Sequence, residues 1–196
     1  DPTKMSCCEV LYDVVVNNNK KIISKLAAKY MYGGIVGDSN MFYYDRVDEA
    51  TFKTASNLVK KGNFNPFYDV HNIVMSKDFK ELKIDSLIVD NIVLEENGFG
   101  YYEINLEKQK ENNLSPRDIT RTVKNFIKVD GFEIIISLGQ IDENTYKCSI
   151  RSKTKNLVKT AQKYGGGGHQ KAVGIKELKA FEKENLFNDL RLLLKG

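Results

Sequence analysis

Little in this chain points to a membrane, a disulfide framework or a metal cluster. No apolar run approaches the ~20 residues that a membrane-spanning helix needs. The first residues lack the pattern of a secretory signal. Asp1 stands where a complete product would have Met, as expected of a processed or truncated piece. Cysteine occurs three times, at positions 7, 8 and 148. That set has no zinc spacing and no even disulfide count. Cys7 and Cys8 read as buried thiols on a helix, so a reducing cytoplasm is the expected setting. Histidine occurs twice. His71, between Val70 and Ile73, has no His or Asp at useful spacing and reads as a surface or structural residue. There is no internal repeat and no low-complexity tail.

Acid is missing locally. From Thr145 to Lys176 there is no Asp or Glu, while Lys147, Arg151, Lys153, Lys155, Lys159, Lys163, Lys171 and Lys176 carry +8. The whole chain is only +4, so the remainder is net negative. A solvated face would mix signs. A window of one sign suits a polyanionic ligand.

Inside that window lies Tyr164-Gly165-Gly166-Gly167-Gly168-His169-Gln170-Lys171-Ala172-Val173-Gly174. Four missing Cβ atoms let backbone N–H groups approach a ligand, and glycine turns of this kind wrap oxyanions. His169 adds an imidazole donor. A flexible turn between a helix and a strand would account for the same glycines. Upstream, Tyr146 to Arg151 alternates like a strand, with Lys147, Ser149 and Arg151 on one face and Cys148 and Ile150 on the other. Arg151 offers a planar fork suited to phosphate, and Ser152 another donor.

The pair Ser149-Ile150-Arg151-Ser152-Lys153 and Gly165-Gly166-Gly167-Gly168-His169-x-x-Ala172 resembles the C-terminal substrate-binding domain of DHH phosphoesterases. It is most similar to their oligoribonuclease/pAp-phosphatase (nanoRNase) branch. Gly34, Ile35, Asp38 and Phe42 also match that family's Gly-Ile-x-x-Asp-Thr-Gly-x-Phe, in which the Asp binds Mn²⁺. Ser39 and Asn40 replace its Thr and Gly. Taken alone, Asp38 beside Gly37 fits a metal-ligand loop and an ordinary Asp-Ser turn equally. The resemblance covers nearly the whole chain, but the Asp-His-His and the other metal-binding acids lie upstream in the family.

Along the chain, Ser6-x-x-Glu9 is a capping box opening a helix with a stripe of Val10, Leu11, Val14 and Val15, broken at Asn17-Asn18-Asn19. Ile22, Ile23, Leu26 and Ala27 mark a second helix, closed near Gly33-Gly34. Residues 48–61 form a third, with Phe52, Ala55, Leu58 and Val59 inward and Gly62 as its stop. Asn65-Pro66 opens another through Val74. Residues 76–90 read as a connector helix with Phe79, Leu82 and Leu87 on one side. Asn97-Gly98 signals a hairpin between Ile92–Leu94 and Tyr101–Ile104. Ser115-Pro116-x-Asp118 starts a helix to about Lys128. Arg117, Arg121 and Lys124 on it read as a solvated side. Phe132–Gln140 is a strand that turns at 142–144. A short helix follows at Asn156–Tyr164, a brief strand at Val173–Ile175, and a closing helix on Leu186, Leu190, Leu193 and Leu194.

The expected fold class is α/β. The resemblance implies the C-terminal part of a DHH domain over 1–75, a linker helix over 76–90 and an α+β substrate-binding domain over 91–196. It further implies a phosphoesterase acting on short oligoribonucleotides or 3′-phosphoadenosine 5′-phosphate with two Mn²⁺ ions. Asp38 would be a metal ligand, and Arg151, Ser152, Gly165–Gly168 and His169 the substrate clamp. The chain alone is expected to be inactive. The expected partners are short RNA, a nucleotide or pAp, with no membrane, and a homodimer is left open. Three alternatives stand: a non-catalytic nucleic-acid or tRNA-binding module, as in the related domain of alanyl-tRNA synthetases; a cyclic-dinucleotide phosphodiesterase; and a structural domain with a glycine turn.

Overall fold

The structure is a computed structural model that describes residues 3–17 and 23–195. The chain divides into two compact units, Asp1–Lys77 and Asp78–Gly196. Among the described residues no helix is long and apolar enough to cross a membrane.

The first unit is helical. Helix α1 (Cys7–Asn17) opens on the expected capping box: Glu9 N donates to Ser6 Oγ at 3.3 Å, and Glu9 Oε2 accepts from Ser6 N at 3.1 Å. Its buried face differs from the expected stripe. Leu11 and Val14 are exposed, while Glu9 and Tyr12 are buried. The cause is the approach of α2 (Lys25–Asp38), on which a Cβ at Gly34 would overlap the Cys8 side chain. That close approach fixes the Cys8–Tyr12 side of α1 as the inner one. Gly33 and Gly34 therefore do not close α2. They lie within it, and the helix runs one turn further to Asp38. Leu26 is exposed. Asn18, Asn19 and Ile22 lie outside the described residues.

Helix α3 (Glu49–Gly62) is capped by Asp48, whose Oδ1 accepts from Thr51 N at 2.9 Å, and ends on left-handed Asn63. Asn63, not Gly62, makes the stop. Ala55 and Leu58 are buried as expected, but Phe52 is exposed. Asn65 Oδ1 caps the next segment through Phe67 N and Tyr68 N, which runs as a π-helical turn (Phe67–His71) into α4 (Asn72–Met75). His71 stacks on Tyr32, and its Nε2 lies 2.6 Å from the Tyr32 hydroxyl, a structural role.

The second unit begins with α5 (Phe79–Val89). Ile84 and Ile88 of α5 enter this unit's core, whereas Phe79 and Leu82 are exposed. Then come β1 (Val93–Leu94), β2 (Phe99–Ile104), α6 (Leu106–Glu111), α7 (Pro116–Arg121), α8 (Val123–Phe126), β3 (Ile134–Asp142) and β4 (Thr145–Ser152). The chain ends with α9 (Val158–Lys163), β5 (Gly167–His169), β6 (Ala172–Lys179) and α10 (Lys183–Leu194). The sheet order is β1-β2-β3-β4-β6-β5. Among the described residues only the β2–β3 pair is parallel. α6, α7 and α8 make that crossover, as a parallel connection requires.

Two cores lie on opposite faces of the sheet. Ile134, Ile136, Leu138, Cys148, Ile150, Val173 and Ile175 pack with α9 and α10. Tyr102, Ile104 and Ile135 pack with α5, α7 and α8. β3 is covered on both faces, which is why its sequence is a continuous apolar run. Of the three cysteines only Cys148 is buried, with its thiol pushed up to about 12 mainly by burial. Cys7 is exposed and Cys8 half-buried, which corrects the expectation that both are buried.

Candidate functional site

Strand register builds the site. Arg151 on β4 pairs with Ala172 on β6, and Ala172 pairs with His169 on β5. Directly paired residues project from the same face of a sheet. Arg151, Ala172 and His169 therefore form one row across three strands. The Cα atoms of its ends are two strand spacings apart, about 10 Å. The next row, Ser149–Gly174–Gly167, lies beside it on the same face. Two long polar side chains thus stand at either side of a floor made of a serine, an alanine and two glycines.

The expected strand faces hold. Lys147, Ser149 and Arg151 are half-buried, and Cys148 and Ile150 are buried on the opposite side. The Arg151 guanidinium is steered by the backbone: Nη1 donates to the Ile150 carbonyl at 2.9 Å and reaches the Val173 carbonyl at 3.5 Å. Gly139 of β3, opposite Lys147, carries Pro116 directly on top of it. A Cβ there would sit 2.8 Å from the proline backbone. α7 thus borders this face, and the exposed Arg117 follows Pro116.

The glycine run is not a single oxyanion-wrapping loop. Gly165 N donates to Gln162 O at 3.2 Å and Gly166 N to Ala161 O at 2.9 Å, with Gly165 at φ 70°. This is the Schellman pattern that ends a helix, here α9. These two amides serve carbonyls of the helix. Gly167 and Gly168 belong to β5, the edge strand. Three of the glycines are demanded by structure. Gly165 and Gly168 have positive φ, and a Cβ on Gly166 would lie 2.6 Å from both Gly174 O and Ile175 Cγ1. Gly167 has open space around its missing Cβ and no positive φ. It lies beside His169 on the same face, in the row next to Arg151–Ala172–His169.

Ser152 is not brought to this face. It pairs with Ile134, is buried, and its hydroxyl is engaged. Ser152 Oγ accepts from Lys155 N at 2.7 Å and lies 3.3 Å from Glu133 Oε1, so it shapes the turn after β4. No local pattern in the sequence signals a support behind the glycines. Asp189 on α10 accepts from both Tyr164 Oη and Lys163 Nζ at 3.0 Å, fixing the end of α9 from which β5 departs. Burial, then the Asp189 carboxylate, pushes the Tyr164 phenol up to about 12. Lys163 is thereby neutralised by an acid from outside its window. On α7, Arg121 pairs with Glu81 at 2.8 Å.

Asp38 lies in the first unit, exposed at the end of α2. The turn after it is unusual. Asn40, Met41 and Phe42 have φ of 50°, 62° and 60°, three successive left-handed residues. Asn tolerates this region, so it can stand in for a glycine, while Met41 and Phe42 carry real strain. The buried Ser39 pins the turn, its Oγ accepting from Phe42 N at 2.9 Å. Burial, and then the charges of Asp38 and Cys7, push the Cys8 thiol up. Among the described residues no three His, Cys, Asp or Glu side chains come together as a metal site. One exposed carboxylate does not fit a dinuclear centre, so the residues described here do not hold one by themselves.

The sheet and its crossover define an α/β chain with an arginine and a histidine on one face. No family model matches it. Among solved structures it is similar to an exopolyphosphatase-related protein from Bacteroides fragilis, with a TM-score of 0.87 at 20% identity over 100% of this chain and 59% of that one. By sequence the chain is similar to several proteins named as oligoribonucleases and PAP phosphatases. It is 26% identical over its whole length to a probable bifunctional oligoribonuclease and PAP phosphatase NrnA of Streptococcus mutans. It has the same identity and coverage with the Bacillus subtilis NrnA. A Mycoplasma pneumoniae NrnA is 28% identical over 89% of the chain. The chain spans 62% of the length of the first two relatives and 52% of the third.

Proposed function

We propose that this chain is the substrate-binding part of a phosphoesterase that hydrolyses short oligoribonucleotides, 3′-phosphoadenosine 5′-phosphate, or both. The observation that carries the reading is the Arg151–Ala172–His169 row. Arg151 meets a phosphate with its planar fork, and His169 donates to the same group from the far side of a floor low enough to admit it. Gly167 keeps that floor bare. The names of the relatives support this substrate class. In the complete enzyme we assign Asp38 to a metal centre, with Mn²⁺ as the metal, which would activate water and stabilise the phosphoryl oxygens. The three free cysteines fit a cytoplasmic site of action.

The test is equilibrium binding and hydrolysis of pAp and a dinucleotide, with Mn²⁺ present. The chain alone is expected to bind both and hydrolyse neither. His169→Ala is expected to weaken binding roughly ten- to a hundredfold, the equivalent of a lost charge-assisted hydrogen bond of about 1.5–3 kcal/mol. Arg151→Lys should also be damaging, because an ammonium does not reproduce the fork. Unchanged binding in both variants would sink the clamp. Full turnover by this chain would place the catalytic centre elsewhere than proposed.

A further inference from the structure

We propose that Lys147 is a second phosphate-binding residue, so that β4 holds two different phosphates of one single-stranded oligonucleotide. This inference rests on the reading of Arg151 just given and extends it from a phosphate to a class of substrate. Lys147 and Arg151 lie on the same face of β4, paired with Gly139 and Ile135 of β3 in one unbroken register. Four residues separate them, a Cα span of about 13 Å along the strand. The intervening residue on that face is the short Ser149. Opposite Lys147 stands Gly139, whose missing side chain is replaced by the backbone of Pro116, so the half-buried Lys147 stands beside the start of α7.

Two other basic residues of the same window are differently employed. Lys163 pairs with Asp189, and Lys153 Nζ donates to the Val129 carbonyl at 3.1 Å. Among the described residues no carboxylate pairs with Lys147. An ammonium is a point charge that imposes no bidentate geometry, which suits a contact that follows a backbone rather than orients a reacting group. Arg151 then takes the phosphate nearest His169, and Lys147 one further along the strand. A ligand with a single phosphate reaches only the first. The fit is to an oligonucleotide of more than one linkage, over a mononucleotide.

Binding of 5′-AMP and of a 5′-phosphorylated trinucleotide RNA to this chain tests the proposal. Lys147→Gln, Lys147→Arg, Arg151→Ala and, as a control, Lys159→Gln on α9 are compared. Lys147→Gln should weaken the trinucleotide about five- to tenfold, within the range of a partly exposed charge contact, and leave AMP unchanged. It should also take about 0.7 from the slope of log K against log salt for the trinucleotide. Lys147→Arg should restore both, Lys159→Gln should change neither ligand, and Arg151→Ala should weaken both. Equal loss of AMP and trinucleotide in Lys147→Gln would mean that both cations serve one phosphate, and no loss of either would mean that Lys147 touches no ligand. Either result overturns the second contact while the Arg151 clamp stands. If Arg151→Ala changes neither ligand, the clamp itself fails, and this extension with it.

Discussion

Gly166 and Gly167 are neighbours with opposite tolerance for a methyl group. A Cβ on Gly166 meets the Gly174 carbonyl and Ile175 at 2.6 Å, whereas on Gly167 it meets nothing within 4 Å. Gly166→Ala should therefore destabilise the second unit by about 1–3 kcal/mol, the usual cost of overpacking. Gly167→Ala should be neutral or gain about 0.4–1 kcal/mol, since alanine restricts the unfolded chain. Its cost should fall on phosphate affinity instead. Denaturant unfolding and nucleotide binding, measured on both variants, separate the two effects. A Gly167→Ala protein of full affinity would show that the floor is not in contact with the ligand. The same residue scale explains why Ser152 looked like a clamp residue. Its place in Ser-Ile-Arg-Ser-Lys is next to Arg151, but the period of two in a strand sends adjacent side chains to opposite faces.

At the scale of elements, α10 is fastened to the hairpin turn by one ion pair. Arg191 Nη2 lies 2.7 Å from Glu95 Oε1, with Nε near both carboxylate oxygens, and the guanidinium rests over Phe99 and Phe187. Arg191 holds the Glu95 carboxyl below the usual carboxylate range. A depressed carboxyl stabilises the fold above its unfolded value, about 4.3 for glutamate, and loses that contribution as pH falls through the folded value. Denaturant stability of the wild type should thus fall more steeply below pH ~4.3 than that of Glu95→Gln, which should be weaker by about 1 kcal/mol at neutral pH. Parallel acid profiles would remove this link. Elements with a local signature were legible in the sequence. The Ser6/Glu9 and Ser115/Asp118 capping boxes, the alternation of β4 and the leucine spacing of α10 all appear where expected. What failed was the choice of helix face on α1 and α5, and the place of Phe52 on α3. On α1, α3 and α5 apolar residues occur on both sides, so periodicity alone cannot say which side is inward. The approach of α1 to Gly34, invisible in either helix by itself, decides the first case.

At the scale of the whole molecule, the second unit has its own cores on both faces of its sheet, and α5 contributes to one of them. A polypeptide of residues 78–196 should therefore unfold cooperatively by itself and keep the affinity of Arg151 and His169 for phosphate. One starting at 91 should lose Ile84 and Ile88 and be destabilised by several kcal/mol, as two large buried side chains are removed. Calorimetry of the two polypeptides checks this, and equal stability would return α5 to the role of a linker. The sequence could not reveal α5's place, because its two buried isoleucines sit among exposed Phe79, Leu82 and Val89. The order of the strands was equally hidden, since pairing of β4 with β6 joins segments that no local pattern connects.

The tetraglycine also works as a measure of length. Its first half closes α9 and its second half is already strand, so the helix end and the imidazole are separated by a fixed count of residues. Losing one glycine would leave the helix end where Asp189 anchors it and move every following residue by one place. In a strand a shift of one turns each side chain over. His169 would then face the apolar core on the α9 side and lose its alignment with Arg151, although the composition of the run would hardly have changed. The number of glycines, more than their softness, selects the face on which the histidine stands.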